Sequence, residues 1–307
     1  DGCVTGVEYE QGGQTKRAKA GREVLLSSGS IGSPQVLELS GIGDGDRLKA
    51  LGIDVVHHLP GIGENLQDHY LARMSFRVKG MGTYNEKSRG IRLGLEIAKY
   101  ALTRKGMLTA APGNASASVK VMPGVDNPDV QFTFAPASYV DGLIGVLNDF
   151  PGMTCGFWQH RPASTGSLHC VSKDPAVQPS IRPNYLGEQI DRDTAVEAAK
   201  MVRRIFQQPA LARYVDSEFF PGADVQSDDE ILDYVRNSGA TVYHPIGTCK
   251  MGSDDMAVVD PQLKMHGLPG IRVIDASVMP RMVSANTNAA TLMIAEKGAD
   301  MVKASIQ

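Results

Sequence analysis

A histidine followed directly by proline is the residue best suited to proton chemistry in this sequence. His244 lies in the stretch YHPIGTCKMG, residues 243–252. An imidazole with an ordinary pKa of ~6.5 can accept a proton at neutral pH, which suits a general base. Proline favours an extended backbone at the preceding residue, and Gly247 permits a sharp turn. The spacing fits a loop that projects His244 into a cleft. It also fits a structural loop histidine whose ring nitrogens are hydrogen-bonded to backbone atoms.

A second candidate is Asn286, in the run SANTNAAT that precedes the last predicted helix. Thr287 or Asn288 would cap this helix, and the free N–H groups of its first turn would then favour an anion. A strand that ends at Asp275, followed about ten residues later by a helix N-terminus, is typical of nucleotide cofactor sites. The same asparagines also fit a purely structural role as helix caps.

Other common active-site patterns are absent from the sequence. GSIGSP, residues 29–34, is not the G-x-G-x-x-G phosphate loop, and neither H-E-x-x-H nor G-x-S-x-G occurs. The remaining histidines considered as metal ligands show no ligand spacing, so we expect no metal site; they are His57, His58, His160, His169 and His266.

Composition narrows the classes of partner. The 307 residues are 42% hydrophobic and 21% charged, with a net charge of −3, which gives no electrostatic case for nucleic acid or an acidic membrane. No apolar run approaches the ~20 residues that span a bilayer. The four cysteines form no C-x-x-C pair, which favours reduced thiols. The sequence does not decide the compartment, although the cytoplasm is favoured.

The elements that would position these residues alternate in type along the chain. Residues 23–43 indicate a strand, a turn and a short helix, and the end of the chain indicates a strand at 271–277 followed by a helix. The block between them indicates antiparallel strands with helices. We therefore predict an α/β fold, in which part of a Rossmann-like domain (1–70 and 243–307) carries an inserted α+β substrate domain (71–242).

The first residues indicate that more chain precedes them. The sequence opens on DGCVTGVEYEQGG with no initiator Met, and its alternating pattern predicts a hairpin that leads into a buried strand. A protein rarely begins in the middle of a sheet. We expect this chain to be the later part of a longer polypeptide.

Four stretches together resemble the glucose–methanol–choline (GMC) oxidoreductases, which are FAD-dependent. They are GSIGSPQVLELSGIG, LPGIGENLQDH, YHPIGTCKMG and GIRVIDASVMPRMVSANTNAATLMIAEKGADMV, which begin at residues 29, 59, 243 and 270. The resemblance implies that His244 is the catalytic base and that Asn286 is its partner. It implies oxidation of an alcohol to an aldehyde or ketone, with hydride transfer to flavin N5.

The same resemblance implies a set of FAD-binding residues. Asp275 and Ala276 match positions beside the ribityl and diphosphate groups, and Thr287 and Asn288 match backbone donors near the flavin C2 carbonyl. The family's N-terminal G-x-G-x-x-G segment, which binds the ADP half of FAD, is missing from these residues. We expect that a preceding segment or a complementing chain supplies it.

The resemblance leaves the identity of the partners open. The implied substrate is a small alcohol, and the electron acceptor is oxygen, a quinone or another compound, so an oxidase and a dehydrogenase remain alternatives. The family also includes lyases and a photodecarboxylase, and fold alone does not fix function. A non-catalytic fragment or subunit is the third alternative.

Overall fold

The computed structural model describes residues 2–111, 113–140 and 145–305. The chain forms two units. Unit 1 consists of Asp1–His69, Arg161–Gly187 and Tyr243–Gln307, and unit 2 consists of Tyr70–His160 and Glu188–Val242. Each unit is therefore built from segments that are far apart in the sequence.

The described residues contain both strands and α-helices. The strands are β1 (Gly6–Gln11), β2 (Gln14–Lys19), β3 (Val24–Leu26), β4 (Ile42–Gly43), β5 (His57–His58), β6 (Tyr70–Val78), β7 (Ala115–Val119), β8 (Val130–Ala135), β9 (Gly152–Gln159), β10 (Ser167–His169), β11 (Ser180–Arg182), β12 (Val215–Phe220), β13 (Ala240–Thr241) and β14 (Ile271–Val273). The α-helices are α1 (Gly29–Leu39), α2 (Gly45–Ala50), α3 (Tyr84–Lys87), α4 (Gly90–Thr103), α5 (Gln189–Phe206), α6 (Pro209–Ala212), α7 (Asp228–Ser238) and α8 (Asn288–Ala304).

Unit 1 joins the two ends of the chain in one pair of parallel strands. β3 lies beside β14, with Val24 opposite Ile271 and Leu26 opposite Val273. Parallel strands need a long connection, and here that connection contains all of unit 2. The predicted meeting of the first and last segments in one sheet is confirmed. The core around this pair is aliphatic and includes Leu26, Leu37, Ile62, Val258 and Val273.

Helix α1 begins earlier than the sequence predicts. Ser33 as N-cap and Pro34 as first helical residue would start the helix at Pro34, whereas the N-cap is Ser28. The early start is stabilised by partners for the first backbone N–H groups, because Gly29 N donates to Asp275 Oδ2 at 2.9 Å and Ser28 N donates to the Ser33 hydroxyl at 3.1 Å. A tertiary contact with Asp275 therefore fixes this end.

Unit 2 is an antiparallel sheet with helices. Its strands lie in the order β12-β6-β9-β8-β7, and β13 pairs with β6. Helix α5 packs on this sheet, where Phe206 stacks on Phe76 with ring centroids 3.8 Å apart. Helix α7 begins with a capping box of Ser227 and Glu230, which the spacing S-x-x-E in the sequence indicates. The expected antiparallel block with helices is thus present.

One part of the predicted substrate domain lies elsewhere. That prediction assigned all of 71–242 to one domain, but residues 161–187 belong to unit 1. Leu168 N donates to the Gly63 carbonyl at 2.7 Å, and His169 bonds the carboxylates of Glu38 and Glu64. These contacts hold β10 against unit 1. The binding roles assigned to the two domains stay predictions.

Candidate active site

The loop that carries His244 is held by backbone geometry and by a neighbouring helix. Tyr243 has a φ of 61°, an unusual value for a bulky residue, and Gly247 has a φ of 91°. A Cβ added at Gly247 would overlap the carbonyl oxygen of Asn65, so glycine is required there. The Ser30 hydroxyl donates to the Pro245 carbonyl at 2.6 Å. The predicted sharp turn at Gly247 is confirmed.

A second segment, residues 59–69, runs alongside this loop. Gln67 and Ile246 exchange both backbone hydrogen bonds, at 3.1 and 2.9 Å. The Gln67 side chain also accepts from Met282 N at 3.0 Å and donates to the Pro280 carbonyl at 3.3 Å. Gln67 therefore fixes the His244 loop and the segment that leads to Asn286 relative to each other.

His244 is hydrogen-bonded at both ring nitrogens. Asn286 Nδ2 lies 3.1 Å from His244 Nε2, and His69 Nδ1 lies 2.9 Å from His244 Nδ1. An amide nitrogen can only donate, so Nε2 of His244 accepts and the ring proton of the neutral form is on Nδ1. Nδ1–H of His244 then donates a hydrogen bond to Nδ1 of His69. This tautomer leaves the basic lone pair of His244 on the side of Asn286.

A carboxylate lies next to this histidine pair. Asp68 Oδ1 accepts from the backbone N–H groups of His69 and His244, both at 2.9 Å, and its other oxygen accepts from the Tyr185 hydroxyl. Burial lowers the pKa of His244 below its ordinary value, because the imidazolium is poorly solvated, and the negative charge of Asp68 opposes this in part. His244 is therefore neutral at physiological pH, as a general base must be.

Asp275 is buried and its carboxylate is already fully engaged. Oδ1 accepts from Ser277 N at 2.8 Å, while Oδ2 accepts from Gly29 N at 2.9 Å and from the Ser33 hydroxyl. Its side chain connects the end of β14 to the start of α1. The geometry shows this positioning role, and the predicted contact with a cofactor stays a prediction for Asp275 and for its half-buried neighbour Ala276.

The N-terminus of α8 has no side-chain cap. Thr287 is the N-cap residue with no hydrogen bond from its side chain, and Asn288 begins the helix and is exposed. The first N–H groups of a helix have no partner within it and favour negative charge. These groups follow directly after Asn286, so they fit the anionic edge of a reduced flavin, as the resemblance implies for Thr287 and Asn288.

The structure brings some predicted residues together and adds others. His244 and Asn286 are in direct contact, as predicted, whereas Asp275 bonds α1 rather than this pair. Asp68, His69 and Tyr185 also belong to the site, and none of them was predicted from the sequence. Asp68 and His69 end LPGIGENLQDH, one of the stretches that resemble the family, and the polar end of this stretch is the signal that could have identified them. Tyr185 lies in DPAVQPSIRPNYL, residues 174–186, which also resembles the family, although nothing local marks this tyrosine as part of the site. No group of metal-binding side chains occurs among the described residues.

Comparison with known proteins identifies the family. The sequence matches the C-terminal GMC oxidoreductase domain over residues 162–295 and the N-terminal one over residues 1–71, together more than half of the chain. The chain belongs to the GMC oxidoreductase family. The matched regions contain His169, His244 and Asn286, and the N-terminal match includes Asp68 and His69.

Individual relatives agree with this assignment. Human mitochondrial choline dehydrogenase is 44% identical over 98% of this chain and 51% of its own length, and the Pseudomonas putida alcohol dehydrogenase [acceptor] is 39% identical over 98% and 55%. The crystal structure of pyridoxine 4-oxidase from Mesorbium loti has a TM-score of 0.83 at 26% identity, over 98% of this chain and 55% of that one. The predicted mixed α/β fold of a GMC oxidoreductase is confirmed. The chain spans about half the length of the relatives it matches.

Proposed function

We propose that this GMC chain carries the proton-transfer site of an FAD-dependent alcohol oxidoreductase. The contact that supports the proposal most is the 3.1 Å hydrogen bond between Asn286 Nδ2 and His244 Nε2, at the uncapped start of α8. It places a base and an N–H donor side by side. An alcohol hydroxyl needs both groups, one to take its proton and one to stabilise its oxygen.

The chain's own residues then act on the alcohol oxygen. The hydroxyl enters between His244 and Asn286, donates to Nε2 of His244 and accepts from Nδ2 of Asn286. As the C–H bond breaks, His244 Nε2 takes the hydroxyl proton and becomes positively charged. Asn286 donates a hydrogen bond to the same oxygen and so stabilises the negative charge that develops on that oxygen. The product is an aldehyde or ketone.

FAD, when bound, supplies the two-electron acceptor for the hydride that leaves the alcohol carbon. The residues that fit it are those at the start of α8, because Thr287 and Asn288 present backbone N–H groups with no side-chain cap. The backbone of Asp275 and Ala276 is the second proposed contact. Asp275 would act there by holding the loop, since its carboxylate already bonds Gly29, Ser33 and Ser277.

The proposed substrate is a small alcohol. The 44% identity to human choline dehydrogenase makes choline the first compound to test, and the relation to an alcohol dehydrogenase makes other small primary alcohols the second. The reduced cofactor must pass its electrons to an acceptor, and oxygen and quinones are the two classes to compare. The predicted cytoplasmic location stays a prediction.

The test is an anaerobic absorbance titration of the intact polypeptide, as its host makes it, with choline, primary alcohols and aryl alcohols. We expect loss of the oxidised flavin band with at least one alcohol, and formation of the aldehyde in equal amount. Cyanohydrin cleavage or light-dependent decarboxylation without alcohol-dependent bleaching would instead indicate a lyase or a photodecarboxylase. A polypeptide that binds no FAD would support the non-catalytic alternative.

A further inference from the structure

Helix α4 of unit 2 carries its apolar side chains on the outside. Ile91, Leu95, Ala98 and Leu102 recur at helical spacing and form one stripe, here named the α4 stripe. Ile91 is 83% exposed, Leu95 65% and Leu102 85%. No residue of α4 is buried within the described structure. A helix that packs on its own unit normally shows the reverse pattern, with its apolar stripe inward.

The opposite face of α4 makes the contacts with the rest of unit 2. Leu93, Glu96 and Tyr100 are partly buried and lie on that face. Glu96 accepts from Met107 N at 3.0 Å and so fixes the turn after the helix. Leu108, in that turn, is exposed as well. The outward stripe is therefore a fixed feature of the fold rather than a frayed end.

Positive charge lies along one border of the stripe and beyond its end, and one of these cations, Arg92, also contacts Glu86 at 3.5 Å. Residues 86–105 contain six Lys and Arg against two Glu, although the whole chain has a net charge of −3. At 3.6 residues per turn, Arg92 and Lys99 lie along one border of the stripe, and Arg104 and Lys105 follow its end. Long basic side chains at the border of an apolar face extend toward lipid headgroups while their stems stay in apolar surroundings. The net charge of the chain conceals this local concentration.

We propose that the α4 stripe docks on an anionic lipid surface. Helices that lie in the membrane interface combine an apolar arc with basic residues at its border, and anionic lipids attract these cations. The stripe covers about 16 Å of helix, at 1.5 Å per residue, so it would lie flat on the bilayer. In the described part of the chain, no helix is long and apolar enough to cross a membrane.

Vesicle sedimentation of the intact polypeptide tests this proposal. The vesicles contain either phosphatidylcholine alone or phosphatidylcholine with phosphatidylserine. We expect binding to the anionic vesicles that weakens at high ionic strength, and much less binding to the neutral ones. Wild-type protein that stays in the supernatant with both vesicle types would overturn the proposal.

Two variants separate the apolar and the electrostatic contributions. The triple substitution Ile91→Gln, Leu95→Gln and Leu102→Gln keeps good helix formers and should weaken binding to anionic vesicles at least about tenfold. The set Arg92→Gln, Lys99→Gln, Arg104→Gln and Lys105→Gln should abolish the preference for anionic over neutral vesicles. Val7→Gln, Val171→Gln and Ile181→Gln replace exposed apolar residues of unit 1 and should leave binding unchanged.

A fluorescent label on the α4 stripe shows whether lipid, another part of the polypeptide or a second copy covers it. In Leu95→Cys protein carrying an environment-sensitive fluorophore, we expect a shift to apolar emission only after anionic vesicles are added. Apolar emission without vesicles would show that another part of the polypeptide, or a second copy, covers the stripe. A triple variant that binds vesicles like wild type would contradict the proposal directly. Far-ultraviolet circular dichroism verifies that each variant is folded.

Discussion

His69 Nδ1 lies 2.9 Å from Nδ1 of His244, and the two rings meet nearly at right angles, with centroids 5.1 Å apart and an interplanar angle of 83°. Only one of the two nitrogens can donate when both rings are neutral. Asn286 occupies the other side of His244 as a donor, so His69 must be the acceptor. His69 is thereby the residue that sets the tautomer of the proposed base.

Replacing His69 should therefore slow proton transfer without removing the base. His69→Leu leaves Nδ1–H of His244 without its acceptor, and a lost partner of a buried donor costs about 1–3 kcal/mol, which is about 5- to 150-fold in rate. His69→Asn keeps an acceptor oxygen and should lose much less. The measurement is the rate of anaerobic flavin reduction by alcohol. Equal rates for the two variants would argue against a role in setting the tautomer.

The pH dependence of the reaction should respond to Asp68. Burial lowers the pKa of His244, and Asp68 raises it in part, so Asp68→Asn should lower that pKa further. His244 loses its basic lone pair as the pH falls through its pKa. On its acid side, the pH profile of kcat/KM should fall with a midpoint below the ordinary pKa range of histidine in wild type. In Asp68→Asn this midpoint should move to still lower pH.

A matched control removes an acid from another place in unit 1. Asp254→Asn breaks an exposed contact with Lys250 and should leave this midpoint where it is. A midpoint that moves to higher pH in Asp68→Asn would contradict the assigned sign of the Asp68 effect.

Asn286 should contribute to the rate through its N–H donor. Asn286→Ala removes the donor to the alcohol oxygen and should slow flavin reduction about 100-fold. Asn286→His retains an N–H donor and should preserve most of the rate. If Asn286→Ala raised only KM and left the limiting rate of reduction unchanged, Asn286 would contribute to binding alone.

A buried histidine between two carboxylates should contribute to stability. His169 Nδ1 lies 2.7 Å from Glu38 Oε1, and its Nε2 lies 3.0 Å from Glu64 Oε1. His169→Gln leaves the buried Glu38 carboxylate without this partner and should lower the free energy of unfolding by about 3 kcal/mol. His57→Gln, which loses one hydrogen bond to the His266 carbonyl, should cost about 1 kcal/mol. Denaturant unfolding of both variants would show whether the two losses differ.

Much of the fold follows from local sequence signals. The capping box at Ser227 and the start of α8 arise from turn residues and apolar patterns that act within a few residues. Similar patterns mark β3 and β14 as strands, whereas their pairing joins opposite ends of the chain. The start of α1 does not, because Asp275 stabilises it from the other end of the chain. Residues 161–187 likewise join unit 1 through His169, whose partners lie more than 100 residues away.

In the candidate site, too, some residues could be predicted from local sequence and others depend on distant contacts. His244 and Asn286 could be predicted because each lies in a stretch whose spacing itself suggests chemistry. The contact between His69 and His244 spans 175 residues, and that between Tyr185 and Asp68 spans 117. No local pattern pairs such residues, and only the path of the chain through unit 1 brings them together. The neutral, oriented state of His244 is therefore a property of the fold.

The central claim is that His244 takes the hydroxyl proton of an alcohol. Stopped-flow reduction of the intact polypeptide under anaerobic conditions, comparing wild type with His244→Ala at equal FAD content, tests it most directly. We predict that His244→Ala binds FAD normally and that its flavin is reduced about 10²- to 10⁴-fold more slowly at neutral pH. A His244→Ala protein that retains its FAD and is reduced by alcohol at the wild-type rate would contradict the claim.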